Sequence, residues 1–137
     1  NQYRFETLAF NLENLALLAS YFDEQNIALA KLTDMVQLAK QMPYQIWMQV
    51  LYNQDQIAFV HFYCTKEQDP TLYLLPCLSP LHASNKDFAI QNVNHLIQHA
   101  RTNYLHIDLG LGDSYDEMLF ANNWQVQVKP YFVVKNK

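Results

Sequence analysis

The most constraining stretch of this chain runs from Tyr44 to Cys64. Tyr44, Ile46, Met48, Val50 and Tyr52 share one face of a period-two run, while Trp47 and Leu51 lie on the other. Asn53-Gln54-Asp55-Gln56 interrupts the run as a turn, and Ile57 to Cys64 resumes it, which predicts an antiparallel hairpin. Because both faces are apolar, neither can be left to water, so a central sheet covered on both sides by helices is expected. A chain of 137 residues is long enough for this as one domain, burying roughly two-thirds of the surface of its unfolded form.

The covering helices are legible on either side of the hairpin. Asn11 is a good cap, Glu13 sits in the first turn, and Leu12, Leu15, Ala19 and Phe22 recur at helical steps, predicting a helix to about Glu24. Leu32, Met35, Val36 and Ala39 predict a second helix that ends before Pro43. Downstream, Ala89, Ile90, Val93, Leu96, Ile97 and Ala100 form the cleanest stripe in the sequence, opened by Ser84-Asn85-Lys86-Asp87 in the form of a capping box. The remaining strands are short. Tyr3 to Phe10 alternates as a first strand, and Lys66 to Thr71 reads as a polar loop. Leu72 to Leu78 reads as a strand whose ladder must break or bulge at Pro76. Leu105, Ile107 and Leu109 alternate as another strand, Asp113 or Ser114 caps a short helix through Ala121, and Trp124 to Val134 holds one or two strands split by Pro130. The expected fold class is α/β (α+β), one domain over 1–137 in the order β-α-α-β-β-β-α-β-α-β(-β).

Composition narrows the function classes. Only 16% of residues are charged and half are apolar, which excludes a disordered chain. Nine basic residues against 13 acidic give a net charge of −4, with no run of Lys or Arg, so neither nucleic acid nor an anionic membrane surface is an expected partner. No apolar stretch approaches the roughly 20 residues of a membrane span, no secretory pattern opens the chain, and two cysteines, Cys64 and Cys77, make no disulfide framework. A cytoplasmic, reduced protein is expected.

The element order, with a long hairpin before a strand, a loop and a major helix, resembles the GNAT superfamily of acyl-CoA N-acyltransferases over nearly the whole chain. Ile57-Ala58-Phe59 stands where that family has its "ivGf" strand, Leu78-Ser79-Pro80 where it has "V-x-P", and Asn123-Trp124 where "Gly-Phe" closes the last helix. The resemblance implies acetyl-CoA as cofactor, with its pantetheine arm in a gap between the fourth and fifth strands. Pro76 suits such a gap, and suits a simple bulge equally. The resemblance would also place the pyrophosphate at the start of the major helix, where free N–H groups and the helix dipole favour an anion. The family's loop glycines are missing here. Their positions fall on Asn85 and Asp87, with Ala89 next, or in the alternative alignment on Ser84 and Lys86, and the only glycines of the chain are Gly110 and Gly112. The cofactor-binding positions implied by the resemblance are therefore Leu78, Asn85, Lys86, Asp87 and Ala89.

Acetyl transfer to an amine needs a base, hydrogen bonds to the thioester oxygen and an acid for the departing thiolate. The family's Tyr acid position is occupied by Leu119, which leaves Tyr115, one turn earlier, as the candidate acid. His61, Asp108 and His106 are candidate bases; a lone His in a strand is also well explained as a hydrogen-bonded structural residue. Cys77 between apolar neighbours reads as an inert thiol. His95 and His99 have the four-residue spacing of a metal pair but no third ligand, so no metal is expected. Asp113, Asp116 and Glu117 complement the dipole of the last helix. The expected function is acetyl transfer from acetyl-CoA to an amine of a small molecule or protein, with a homodimer among the assemblies considered. The alternative is a catalytically inactive GNAT-fold binding or interaction module that has lost the pyrophosphate-binding glycines. A PAS-like or NTF2-like pocket fits less well, because those folds place no long helix between the fourth and fifth strands.

Overall fold

A computed structural model of the chain describes residues 3–75, 86–103, 105–108 and 132–133. The chain enters as strand β1 (Tyr3–Ala9) and crosses three helices, α1 (Leu12–Leu17), α2 (Ala19–Glu24) and α3 (Leu29–Ala39). It then builds the hairpin β2 (Tyr44–Asn53) and β3 (Gln56–Lys66), turns into β4 (Asp69–Leu74), and runs through α4 (Lys86–Thr102) to β5 (His106–Asp108) and β6 (Phe132–Val133). The six strands form one sheet in the order β1-β2-β3-β4-β5-β6. Every pairing is antiparallel except β4 with β5, which are parallel neighbours joined through α4.

Alternation along the strands sorts the side chains into two cores. Phe59, Tyr63, Leu72, Leu74 and Ile107 pack under Ala89, Ile90, Val93, Leu96, Ile97 and Ala100 of α4. On the opposite face Met48, Val50, Val60 and Phe62 pack against Leu15, Leu18, Phe22, Leu32 and Val36 of α1 to α3. Burying each such side chain contributes roughly 1.5–3 kcal/mol relative to exposure, so both helical layers are held by the sheet between them. All six residues of the predicted α4 stripe are buried.

Several boundaries differ from expectation. The helix predicted from Asn11 to Glu24 is two helices, broken at Leu18. The Leu18 N–H is shared between the carbonyls of Asn14 and Leu15, a tightened turn that Gly or Pro signals could not announce because neither residue is present. The break changes the buried stripe: Leu12 is exposed, while Leu18 and Tyr21 are buried. The loop expected over Lys66 to Thr71 is a two-residue turn at Glu67 and Gln68, with β4 already begun at Asp69. The β3–β4 register shifts between Cys64 and Lys66, so Pro70, which has no N–H to donate, lies beside an interrupted ladder. Pro76, the predicted helix from Asp113 or Ser114 to Ala121, and Pro130 lie outside the described residues. No helix among the described residues is long and apolar enough to cross a membrane.

Candidate functional site

A parallel strand pair joined by a helix creates one special place in a sheet, the edge beyond the carboxyl ends of its strands. Here the β4–β5 register is Thr71↔His106, Leu72↔Ile107 and Tyr73↔Asp108. Leu72 and Ile107 point into the core under α4, so Tyr73 and Asp108 stand side by side on the opposite face. The Tyr73 hydroxyl donates to Asp69 Oδ2 at 2.7 Å, and Lys66 Nζ lies 4.8 Å from the centre of the Tyr73 ring. That hydrogen bond raises the Tyr73 pKa above its ordinary value, with burial and the nearby Asp108 charge adding to it, and it holds the Asp69 carboxyl below the usual range. His106 is half-buried two register steps away, beside Thr71.

The start of α4 lies at the hairpin-turn end of the sheet, because Phe88 packs edge-on against Tyr3 at 6.3 Å and Tyr3 pairs with Asn53. Lys86 and Asp87 are exposed there, and Asp87 supplies the acidic group of the first turn. Ala89 is fully buried and faces the sheet. β4 runs antiparallel to β3, so its carboxyl end also points toward this end of the molecule. A cleft of about 510 Å³ lies on the other face near the turn, with Tyr21 and Glu24 on one wall and Tyr52 and Asp55 on the other. The Tyr21 hydroxyl accepts the Val60 N–H at 3.3 Å, and burial pushes its pKa up to about 12.

His61 belongs to a different environment. It lies on the α4 face, opposite to Asp108, and is wholly buried. Asn92 Nδ2 donates to the Gln49 carbonyl at 2.8 Å and lies 2.9 Å from His61 Nδ1. An amide nitrogen can only donate, so Nδ1 is the acceptor and the ring proton is assigned to Nε2. Gln49 Oε1 in turn accepts from the Thr7 hydroxyl at 2.7 Å. Burial pushes the His61 pKa down to about 3, so the imidazole is neutral throughout the physiological range. This is the hydrogen-bonded structural arrangement weighed for a lone strand histidine, and it ties β1, β2, β3 and α4 together.

The structure therefore separates the predicted site residues. Asp108 sits at the end of β5, His61 lies beneath α4, and Lys86 and Asp87 are at the exposed helix start; Tyr115, Leu78 and Asn85 lie outside the described residues. Gln49 and Asn92 escaped the sequence reading, although each carried a signal. Asn92 falls within the apolar stripe, three residues after Ala89 and four before Leu96, and Gln49 alternates with Trp47 and Leu51. A polar residue at a core position of an otherwise apolar face must find buried partners. His95 stacks on Phe5 with ring centres 4.0 Å apart, and no group of metal-binding side chains is assembled among the described residues. Comparison with family models, with curated proteins and with solved structures gives no match.

Proposed function

We propose that this chain is a GNAT-like domain that binds acetyl-CoA and transfers its acetyl group to an amine. The observation that supports this reading most is the β4-α4-β5 unit, in which parallel neighbours are joined by a helix within an otherwise antiparallel sheet. In this reading Lys86 and the first N–H groups of α4 would hold the pyrophosphate, and the carboxyl ends of β4 and β5 would hold the thioester. The neutral amine attacks the thioester carbon, the thiolate leaves, and the amine proton passes to a base. Asp108 is the base to test and Tyr115 the acid that returns a proton to sulfur. His61, sealed and neutral, supports the helix. The carboxylates of Glu24 and Asp55 across the cleft suit a cationic amine as acceptor. A cytoplasmic setting goes with this chemistry.

A second reading is favoured by Asp87. A carboxylate in the first turn of α4 satisfies the helix dipole without a phosphate, as expected of a GNAT-fold interaction module that no longer binds cofactor. Thermal unfolding with and without ligand separates the two. Acetyl-CoA at about one hundred times its dissociation constant adds about 2.7 kcal/mol, which raises the melting temperature of a domain this size by roughly 5–12 °C. A melting curve unmoved by millimolar acetyl-CoA, CoA and longer acyl-CoAs would leave the interaction module as the surviving reading.

A further inference from the structure

The cleft of about 510 Å³ between α2 and the β2–β3 turn has the size of a small-molecule site. On its helical wall Ser20 and Tyr21 stand four and three residues before Glu24, so each hydroxyl shares a side of α2 with the carboxylate, about 5–6 Å away at Cβ. The Glu24 and Ser20 side chains have no hydrogen-bond or ion-pair partner among the described residues. Tyr21 is only 4% exposed, and its oxygen accepts the Val60 N–H. That leaves the hydroxyl proton without an acceptor among the described residues, a costly state for a buried O–H that an oxygen in the cleft would relieve.

The facing wall already holds a cation. The Arg4 guanidinium lies 4.0 Å over the Tyr52 ring and 3.9 Å from Asp55 Oδ1. The ion pair is long and exposed, with 92% of the Asp55 side chain open to water, so it holds Arg4 weakly. Aliphatic surface completes the cleft: Leu17 is 69% exposed at its mouth, and Ile57 is half-buried in the opposite wall.

We infer that this cleft binds a small aliphatic amino alcohol. Its ammonium pairs with Glu24 and takes Asp55 from Arg4, a hydroxyl on the next carbon accepts the Tyr21 proton, and a short hydrocarbon body covers Leu17 and Ile57. An amino acid is excluded, because its carboxylate would face both acidic side chains. A bare polyamine is disfavoured, because it brings no oxygen to Tyr21. The inference names the class of acceptor and rests on the transferase reading for the fate of the amine, whereas binding requires no acetyl-CoA.

Titration calorimetry of leucinol (2-amino-4-methylpentan-1-ol) into the full chain, without acetyl-CoA, tests it. Binding should be saturable and weaken as salt rises. 4-Methylpentan-2-amine, which lacks only the hydroxyl, should bind about threefold to tenfold more weakly. 4-Methylpentan-1-ol, which lacks only the ammonium, and leucine should not compete. Glu24→Gln should weaken leucinol binding about tenfold or more, and Arg4→Gln, which removes the competing cation, should tighten it about twofold to fivefold. Lys40→Gln makes the same change of net charge at the far end of α3 and should leave affinity unchanged. Should Glu24→Gln fail to fold, methyl spectra of the unaltered chain decide: Leu17 and Ile57 should shift with leucinol, while Val93 and Ile107 beneath α4 stay fixed. No saturable binding, analogues that bind as well as leucinol, affinity indifferent to Glu24→Gln or Arg4→Gln or moved equally by Lys40→Gln, or unmoved Leu17 and Ile57 methyls would overturn it. Failure of the acyl-CoA reading looks different: leucinol still binds, and the melting curve ignores acetyl-CoA.

Discussion

At the residue scale the molecule turns on three buried polar side chains between α4 and the sheet. Asn92 serves two acceptors, the Gln49 carbonyl and His61 Nδ1, neither of which has access to water. Asn92→Leu leaves both without that donor and should cost about 2–4 kcal/mol of unfolding free energy in urea; His61→Phe in that background should recover part of the loss, since the second orphan is then removed. His61 also sets a pH dependence. Its folded pKa of about 3 lies below the unfolded value of about 6.5, so unfolding takes up a proton between these limits. The stabilisation is complete above about pH 6.5 and is lost as pH falls toward 3, at a limiting slope of roughly 1.4 kcal/mol per pH unit. His61→Phe should flatten that part of the stability profile; burial also lowers the His95 pKa, so a residual slope of the same sign should persist. An unchanged profile in the variant would assign the dependence elsewhere. His61 was legible in the sequence as a candidate base or a structural residue, and nothing short of the register with Asn92 chooses between them.

At the element scale, what was legible followed from period and what was missed followed from turns. The hairpin and the α4 stripe emerge from alternation and helical spacing, because burial on a two-faced sheet demands those patterns, and the parallel placement of the strands holding Leu74 and Ile107 follows from the strand-helix-strand connection between them. The early start of β4 was hidden because Asp69 and Pro70 are loop-forming residues by propensity, yet Gln68 accepts a φ of 63° and closes a tight turn before them. The β2–β3 turn is tighter still in its demands. Gln54 and Asp55 have φ of 55° and 69°, the pattern of a type I′ hairpin, without the glycine that such a turn favours. Asp55→Gly removes a left-handed Cβ at the cost of one exposed ion pair, and should raise stability by about 0.5–1 kcal/mol in chemical denaturation. A loss of stability would mean that the Asp55 contact with Arg4 outweighs the backbone relief.

At the scale of the whole molecule, one sheet carries two helical layers, and among the described residues only its β4–β5 pair is parallel. The proposed site rests on what that single parallel pair places together: the carboxyl ends of two strands and the start of α4. In the GNAT-like reading, side chains stand in the sequence where that family has glycines, so the sequence alone leaves the cofactor undecided between binding and loss. Asp87 is the residue on which the two outcomes part. Its carboxylate is worth about 0.3–1 kcal/mol to the helix dipole, so Asp87→Asn should lose a little stability in either case. If a pyrophosphate also occupies this helix start, the substitution removes a like charge roughly 4 Å away, and affinity should rise about tenfold or more. Titration calorimetry of CoA into the unaltered chain and into Asp87→Asn is the most direct measurement: binding that tightens in the variant is the result expected of a cofactor at this helix, and binding that is absent, unchanged or weaker would contradict it.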